Sequence, residues 1–339
     1  YIATLDEKTL PVEFRILQYR PRSWSPTDTL LVGKILSDGL STTWRNDLTF
    51  ADMKNSLTPK KFADLANIVT PLDVILFGND KAQPARKAAA SKAVQVSASD
   101  LAFAEKDAAV RESSLSRIGF YAEELAASNN WVISGKRTLD GKPILSNDPH
   151  LQASAPGIWY MAHLSAPGIS VSGVTLPGSP AIVLGHNESL AWGATNVGPD
   201  VQDVYLETFN EEGKYKTPDG WKTPEVRTEK IKVRKTPTST ETEEESLVVT
   251  ETRNGVIINT AQSAGAKGGR YALKWTARDP KNEELSAFYV LNRARNWDDF
   301  RNAFRSYGGA TQNFVYADVR GNIGWIAAGI IPLRKTGDG

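Results

Sequence analysis

The chain has 339 residues, 40% of them apolar, enough for a large core in one big or two smaller globular units. Forty basic against thirty-nine acidic residues leave a formal charge of +1, so composition gives no general nucleic-acid or membrane footprint. Cysteine is absent, which excludes disulfides, thiolate metal sites and a cysteine nucleophile while leaving the compartment open.

In chain order, the opening "YIATLDEKTLPVEF" lacks the basic start and apolar middle of a signal peptide, and no apolar run is long enough to span a bilayer. Both ends read as cut. Up to about residue 79 the pattern is helical: "SPTDTLLVGKIL" and "TPKKFADLANI" each join a Ser/Thr start signal to apolar residues at helical spacing. Residues 79–100, "NDKAQPARKAAASKAVQVSASD", carry few large apolar side chains and read as a linker or spacer. "DLAFAEKDAAVRESSLSRIGFYAEELA" predicts a helix ending just before Ser128. From there the signal is mainly strand: "WVISG", "SVSGVTL", "AIVLG", "LAWGATN" and "DVYLETF" are short, β-branched or aromatic, and punctuated by Gly, Pro and Asn. Residues 207–260 read as hairpins with a solvated tip, the acidic "ETEEES" being an exposed loop. "NEELSAFYVLNRARNWDDFRNAFRSY" predicts a helix, and "NFVYADVRGNIGWIAAG" a strand pair turning at "RGN". This order implies layers of antiparallel sheet with helices outside, an α+β class.

Several catalytic schemes fail on their motifs. The nearest approach to G-x-S-x-G, "GISVS" from Gly168, lacks the last glycine. His150, His163 and His186 show no H-E-x-x-H spacing, and the last two read as structural. No phosphate loop or G-x-G-x-x-G is present. What stays is Ser128 in "AASNNWVISGKR", at a helix-to-strand boundary, which taken alone reads as a turn residue.

The blocks around it carry more. "SNNWVISGKRTLDGKPILSNDPHL", "PGIWYMAHLSAPGISVSGVTLPGSPAIVLGHNESLAWGATNVGPDVQDVYLE" and "TQNFVYADVRGNIGWIAAGIIP" resemble, in that order, the penicillin acylase family of N-terminal nucleophile hydrolases. "LPVEFRILQYRPRSWSPTDTLLVGKILS" resembles the end of that family's N-terminal chain. In that family a precursor cuts itself before a Ser, which becomes the nucleophile of an amidase. The resemblance implies an αββα sandwich, incomplete in this stretch of chain. It divides the chain into 1–78, the end of the N-terminal chain; 79–127, a spacer and helix; and 128–339, the start of the nucleophile-bearing chain. The two chains of one precursor would pair with each other, in the periplasm or outside the cell.

By the same resemblance Ser128 is the nucleophile. Its hydroxyl needs a base, and a free α-amino group with a pKa of roughly 7.7–8.0 can serve where no His is placed. The oxyanion would take the Asn313 side-chain amide and a backbone N–H at Asn196, or at Val197 if the register slips by one. His150 falls beside the nucleophile, as a main-chain positioner or a plain turn residue, and Arg334 falls where the family steadies the Asn, or is a surface charge. Ile35, Leu151 and Leu184 would face an apolar acyl group. Two carboxylates with a carbonyl between them suit a hard cation. The resemblance makes that cation a structural calcium on Asp200, the Gln202 carbonyl and Asp203, with Asp47 as a further carboxylate, or else the run is a loop of solvated acids. No organic cofactor is called for, and the partner is a small N-acyl amide. Two other classes stay open: an uncut, non-catalytic binding or structural protein of the same fold, and a serine amidase using His150 as base.

Overall fold

Ser25 and Pro26 start the first long helix: Asp28 reaches back so that its Oδ2 accepts from the Ser25 N–H at 2.7 Å and from Ser25 Oγ at 2.8 Å. The computed structural model describes residues 1–41, 43–66, 95–117, 128–151, 153–236, 239–259 and 269–334. Its helices before Ser128 are α1 (Val12–Ile16), α2 (Pro26–Leu40), α3 (Trp44–Ser56), α4 (Pro59–Leu65) and α5 (Ala98–Arg117). The helical reading of the first 79 residues thus stands as far as residue 66. Most of the expected spacer, and the end of the helix expected to run up to Ser128, lie outside the described residues.

After Ser128 come β1 (Asn129–Ile133), β2 (Ile144–Asp148), β3 (Tyr160–Ala166), β4 (Ile169–Thr175), β5 (Leu184–Asn187), β6 (Leu190–Asn196) and β7 (Gln202–Glu207). The short hairpin β8 (Tyr215–Thr217) and β9 (Gly220–Lys222) leads to β10 (Glu225–Arg234), β11 (Thr242–Thr252), β12 (Gly255–Ile257) and β13 (Arg270–Trp275). Helices α6 (Glu284–Leu291) and α7 (Trp297–Ala303) precede β14 (Gln312–Asp318) and β15 (Ile323–Ala328). An antiparallel sheet in the order β15-β14-β6-β5-β4-β3 forms the centre, and a second sheet runs β10-β11-β12-β13-β7.

One face of the central sheet carries Trp192 and Ala194 of β6 and Phe314 and Tyr316 of β14, which pack on Leu291, Phe300 and Phe304 of the α6–α7 region. The alternate residues face the other way. There a Cβ at Gly193 would meet Asn147 of β2, so the β1–β2 hairpin covers the face opposite the helices. A helix layer, a sheet and the first strands over its far side are the mixed α+β arrangement expected; the four-layer sandwich is not complete among the described residues. The second sheet has its own cover, with Trp44 and Leu48 of α3 and Ala104 of α5 against Tyr271.

Three elements differ from expectation. The helix read across 282–307 is two, because after the turns that end with Ala294 N–H on Leu291 O the backbone goes extended at Asn296; between the two helices the Asn292 side chain bonds a neighbouring loop, its Oδ1 accepting from Ile182 N at 2.8 Å and its Nδ2 donating to Ile182 O at 2.7 Å. Asn296 then caps α7 by accepting from Asp299 N at 2.9 Å. That same loop delays β5, so "AIVLG" becomes strand only at Leu184. The acidic "ETEEES" lies largely in β11, where exposed cross-strand pairs such as Lys230–Glu244 at 2.8 Å offset its charge. Replacing Asn292 with Leu should cost about 2–6 kcal/mol, since it strands two buried backbone groups at roughly 1–3 kcal/mol each. Urea unfolding measures it, and an unchanged midpoint would remove Asn292 as the joint between α6 and the sheet.

Candidate active site

Ser128 sits half-buried at the entry to β1, and the main-chain N–H of His150 donates to its Oγ at 3.0 Å. The imidazole points elsewhere: His150 Nε2 lies 3.4 Å from Asp148 Oδ2, with both side chains well exposed. His150 therefore meets the serine through its backbone. The Ala127–Ser128 peptide itself lies outside the described residues.

Two strands beside it supply donors. Asn313 on β14 accepts at Oδ1 from Trp325 Nε1 at 3.1 Å, which leaves its Nδ2 as the donor end of the amide. Its carbonyl accepts from Asn130 Nδ2 at 2.9 Å, tying this strand to the residue two places after Ser128. On β6 the register decides between neighbours. Val197 N–H is spent on Thr311 O at 3.1 Å, so Val197 and Thr311 form a hydrogen-bonded pair. The alternation of an antiparallel ladder then turns Asn196 N–H away from β14, toward the open edge where Asn147 already takes Ala194 N–H at 3.0 Å. Of the two candidate backbone donors, Asn196 is the one left available.

A cavity of about 100 Å³ opens at Ser128 and is walled by Leu151 and Leu184, by Trp159, Phe288 and Phe314, and by α2 through Val32, Leu36 and Leu40. Its wall is mainly apolar, with Glu284 as a charged exception. Ile35 does not line it; Ile35 stands one residue, about 100°, around α2 from Leu36 and is 38% exposed. The Asn196 side chain fixes this helix to the sheet by donating from Nδ2 to Leu40 O at 2.8 Å.

The acidic residues converge as an ion-pair cluster. Arg334 Nε donates to Asp203 Oδ1 at 2.7 Å, and its NH2 lies 3.0 Å from Asp200 Oδ2. Asp200 Oδ1 accepts from Thr43 Oγ1 at 2.9 Å, and Asp47 Oδ2 from Val204 N at 2.9 Å. Burial, with Asp200 and Asp203 close by, pushes Asp47 up to about 7. Burial also raises Asp200.

Residues 1–339 match the family profile described as penicillin amidase. The chain belongs to that family. It is 31% identical to the acyl-homoserine lactone acylase QuiP of Pseudomonas aeruginosa over 97% of its own length and 38% of the relative's. To the penicillin G acylase of Escherichia coli it is 30% identical, over 62% of this chain and 24% of that one. The solved structure of a thermostable penicillin G acylase from Alcaligenes faecalis superposes on 60% of the chain and 35% of that protein, with a TM-score of 0.53 at 28% identity. The chain thus spans well under half the length of these relatives.

In this penicillin amidase chain, Ser128, His150, Asn196, Leu151 and Leu184 gather at one cavity mouth, with Asn313 tied in through Asn130. Arg334 does not join them, because its guanidinium is held by Asp200 and Asp203. The cluster's oxygen donors, three carboxylates against one guanidinium, suit a hard cation in chemistry. Four of their six oxygens are engaged by Arg334, Thr43 and Val204, however, and among the described residues no group of three or more Asp, Glu, His or Cys side chains is arranged to hold a metal ion. Sequence reading missed Trp159, Phe288 and Glu284. A stripe at four-residue spacing on α2, Val32, Leu36 and Leu40, was the signal for that wall of the cavity.

Proposed function

We propose that the protein is an amidase that hydrolyses N-acyl amides through an acyl-enzyme on Ser128, freed as an N-terminal residue by self-cleavage after Ala127. The observation that carries the reading is the His150 N–H bond to Ser128 Oγ at the mouth of an apolar cavity, in a chain of this family. The bond orients the hydroxyl oxygen. The free α-amine of Ser128 then takes the hydroxyl proton as Oγ attacks the acyl carbonyl. Asn313 Nδ2 and Asn196 N–H stabilise the oxyanion, and the amine returns the proton to the departing nitrogen. Water repeats the sequence on the ester and releases the acid.

The printed names of the relatives suggest acyl-homoserine lactones and penicillins as substrate types. A cavity of about 100 Å³ is smaller than the roughly 150 Å³ that holds a benzene, which favours a short aliphatic acyl group over phenylacetyl. A series of N-acyl amides with chromogenic leaving groups tests this. Aliphatic acyl amides should turn over faster than phenylacetyl ones, and no turnover of any member by a chain cut at Ser128 would end the amidase reading.

The two chains made by cleavage stay paired in this proposal, α2 of the first forming the cavity wall for the nucleophile of the second, in the periplasm or outside the cell. Asp47, Asp200, Asp203 and the Gln202 carbonyl are the groups that would hold a structural calcium between α3 and β7, once Arg334 releases its carboxylates. No catalytic step passes through it. Calcium added after chelation should raise the melting midpoint through a binding-linkage stabilisation of about 2.7 kcal/mol at one hundred times Kd, and Asp200→Asn with Asp203→Asn should erase the rise. Identical midpoints with chelator and with calcium would contradict a metal there and leave Arg334 as the resident cation.

A further inference from the structure

The cavity wall holds a charged group that the proposed chemistry does not use. Glu284, at the start of α6, is 7% exposed yet lines the same cavity as Ser128. Its two oxygens are treated differently. Oε2 accepts from Lys34 Nζ at 3.1 Å and from Asn282 Nδ2 at 3.0 Å. Oε1 has no hydrogen-bond partner among the described residues, and the space it occupies depends on Gly33, where a Cβ would stand only 2.8 Å away. An oxygen left without a partner on a cavity wall can take a donor from whatever fills the cavity, and an occupant that offers none would bury it unpaired at a cost in free energy.

We infer that Glu284 Oε1 is the acceptor by which the cavity selects acyl groups bearing a hydroxyl. The inference rests on the acyl-cavity reading above and names the substrate class within it. Charge decides between the available donors. Lys34 already balances Glu284, so an ammonium on the acyl group would leave a net positive charge in a largely apolar cavity, whereas a hydroxyl donates one hydrogen bond and adds no charge. A keto oxygen in the same place would set acceptor against acceptor. An unsubstituted chain would leave Oε1 unpaired, and a site built around a polar group rejects the analogue that lacks its partner far more strongly than it rejects a change of one methylene.

The test uses binding, so that it does not depend on turnover. Free alkanoic acids of one chain length, unsubstituted, hydroxy-substituted or oxo-substituted at each carbon in turn, are titrated into the mature protein by calorimetry. At one position the hydroxy acid should bind on the order of 10- to 100-fold tighter than the unsubstituted acid, with the oxo acid weakest. Glu284→Gln keeps the shape but can present its amide N–H in place of Oε1, with its oxygen left to Lys34 and Asn282; the oxo acid should then bind at least as tightly as the hydroxy acid. Glu284→Leu combined with Lys34→Met removes both charges and should erase the preference. Equal or tighter binding of the unsubstituted acid at every position in the wild-type protein would overturn the inference, as would the same order of preference in Glu284→Gln. If the hydroxy preference is found but no amide is cleaved, the amidase reading falls and the selectivity of Glu284 stands.

Discussion

Ser128→Ala in the full-length protein should be recovered as one uncut chain, and its hydrolysis of N-acyl amides should fall by roughly 10⁶-fold, the scale seen when a serine hydrolase loses its nucleophile. Both losses follow from one atom, since Oγ opens the Ala127–Ser128 peptide and later attacks the substrate. Denaturing electrophoresis reads the first and initial rates with a chromogenic amide the second. Ser128→Cys is the control, because a thiol can still attack a carbonyl and should restore cleavage at least in part. A Ser128→Ala chain that is still cut, or that keeps even a hundredth of the activity, would move the nucleophile elsewhere. Full activity in an uncut wild-type chain would revive the imidazole of His150 as base, against its present pairing with Asp148.

The second large effect belongs to Asn313. If its Nδ2 donates to charge that appears only in the tetrahedral state, Asn313→Ala should lower kcat by roughly 10²- to 10³-fold and leave KM nearly unchanged. Trp325 Nε1 holds the amide in the required orientation, so the loss is of a donor aimed in advance. Cleavage before Ser128 has to be verified in the same variant, because a maturation defect would imitate a catalytic one. A fully cut Asn313→Ala enzyme with near-normal kcat would leave the oxyanion to the Asn196 N–H and other backbone donors.

How far the site could be read from the sequence depended on whether its signal was local. The start of α2 was legible because Ser25, Pro26 and Asp28 form a capping pattern within four residues. The "RGN" hairpin was legible for the same reason: Asp318 accepts from the Arg320 and Asn322 N–H groups, and Gly321 takes a φ of +90°. Ser128 alone was a turn residue, and only the ordered blocks on either side of it pointed to a nucleophile. What stayed hidden depends on long-range contacts. The helix expected across 282–307 is interrupted where the chain goes extended at Asn296, and the Asn292 side chain at this joint is held by both backbone groups of Ile182, more than a hundred residues earlier. Arg334 was read as steadying the Asn or as a surface charge, and three carboxylates brought together by α3 and the residues around the start of β7 give it a different place. Glu284 shows nothing in its own neighbourhood, since its charge partner Lys34 lies on α2 and its free oxygen needs Gly33 beside it. Ile35 was taken from the right helix at the wrong angle, which only the position of the sheet could decide.

The central claim is that Ser128 becomes a free N-terminal nucleophile, and intact-mass analysis of the wild-type protein with sequencing of its chain termini tests it most directly. The account predicts two chains, one of them beginning Ser-Asn-Asn-Trp at Ser128 with an unblocked α-amine. A fresh wild-type preparation that remains one chain, or whose new N-terminus lies at any other residue, would contradict it.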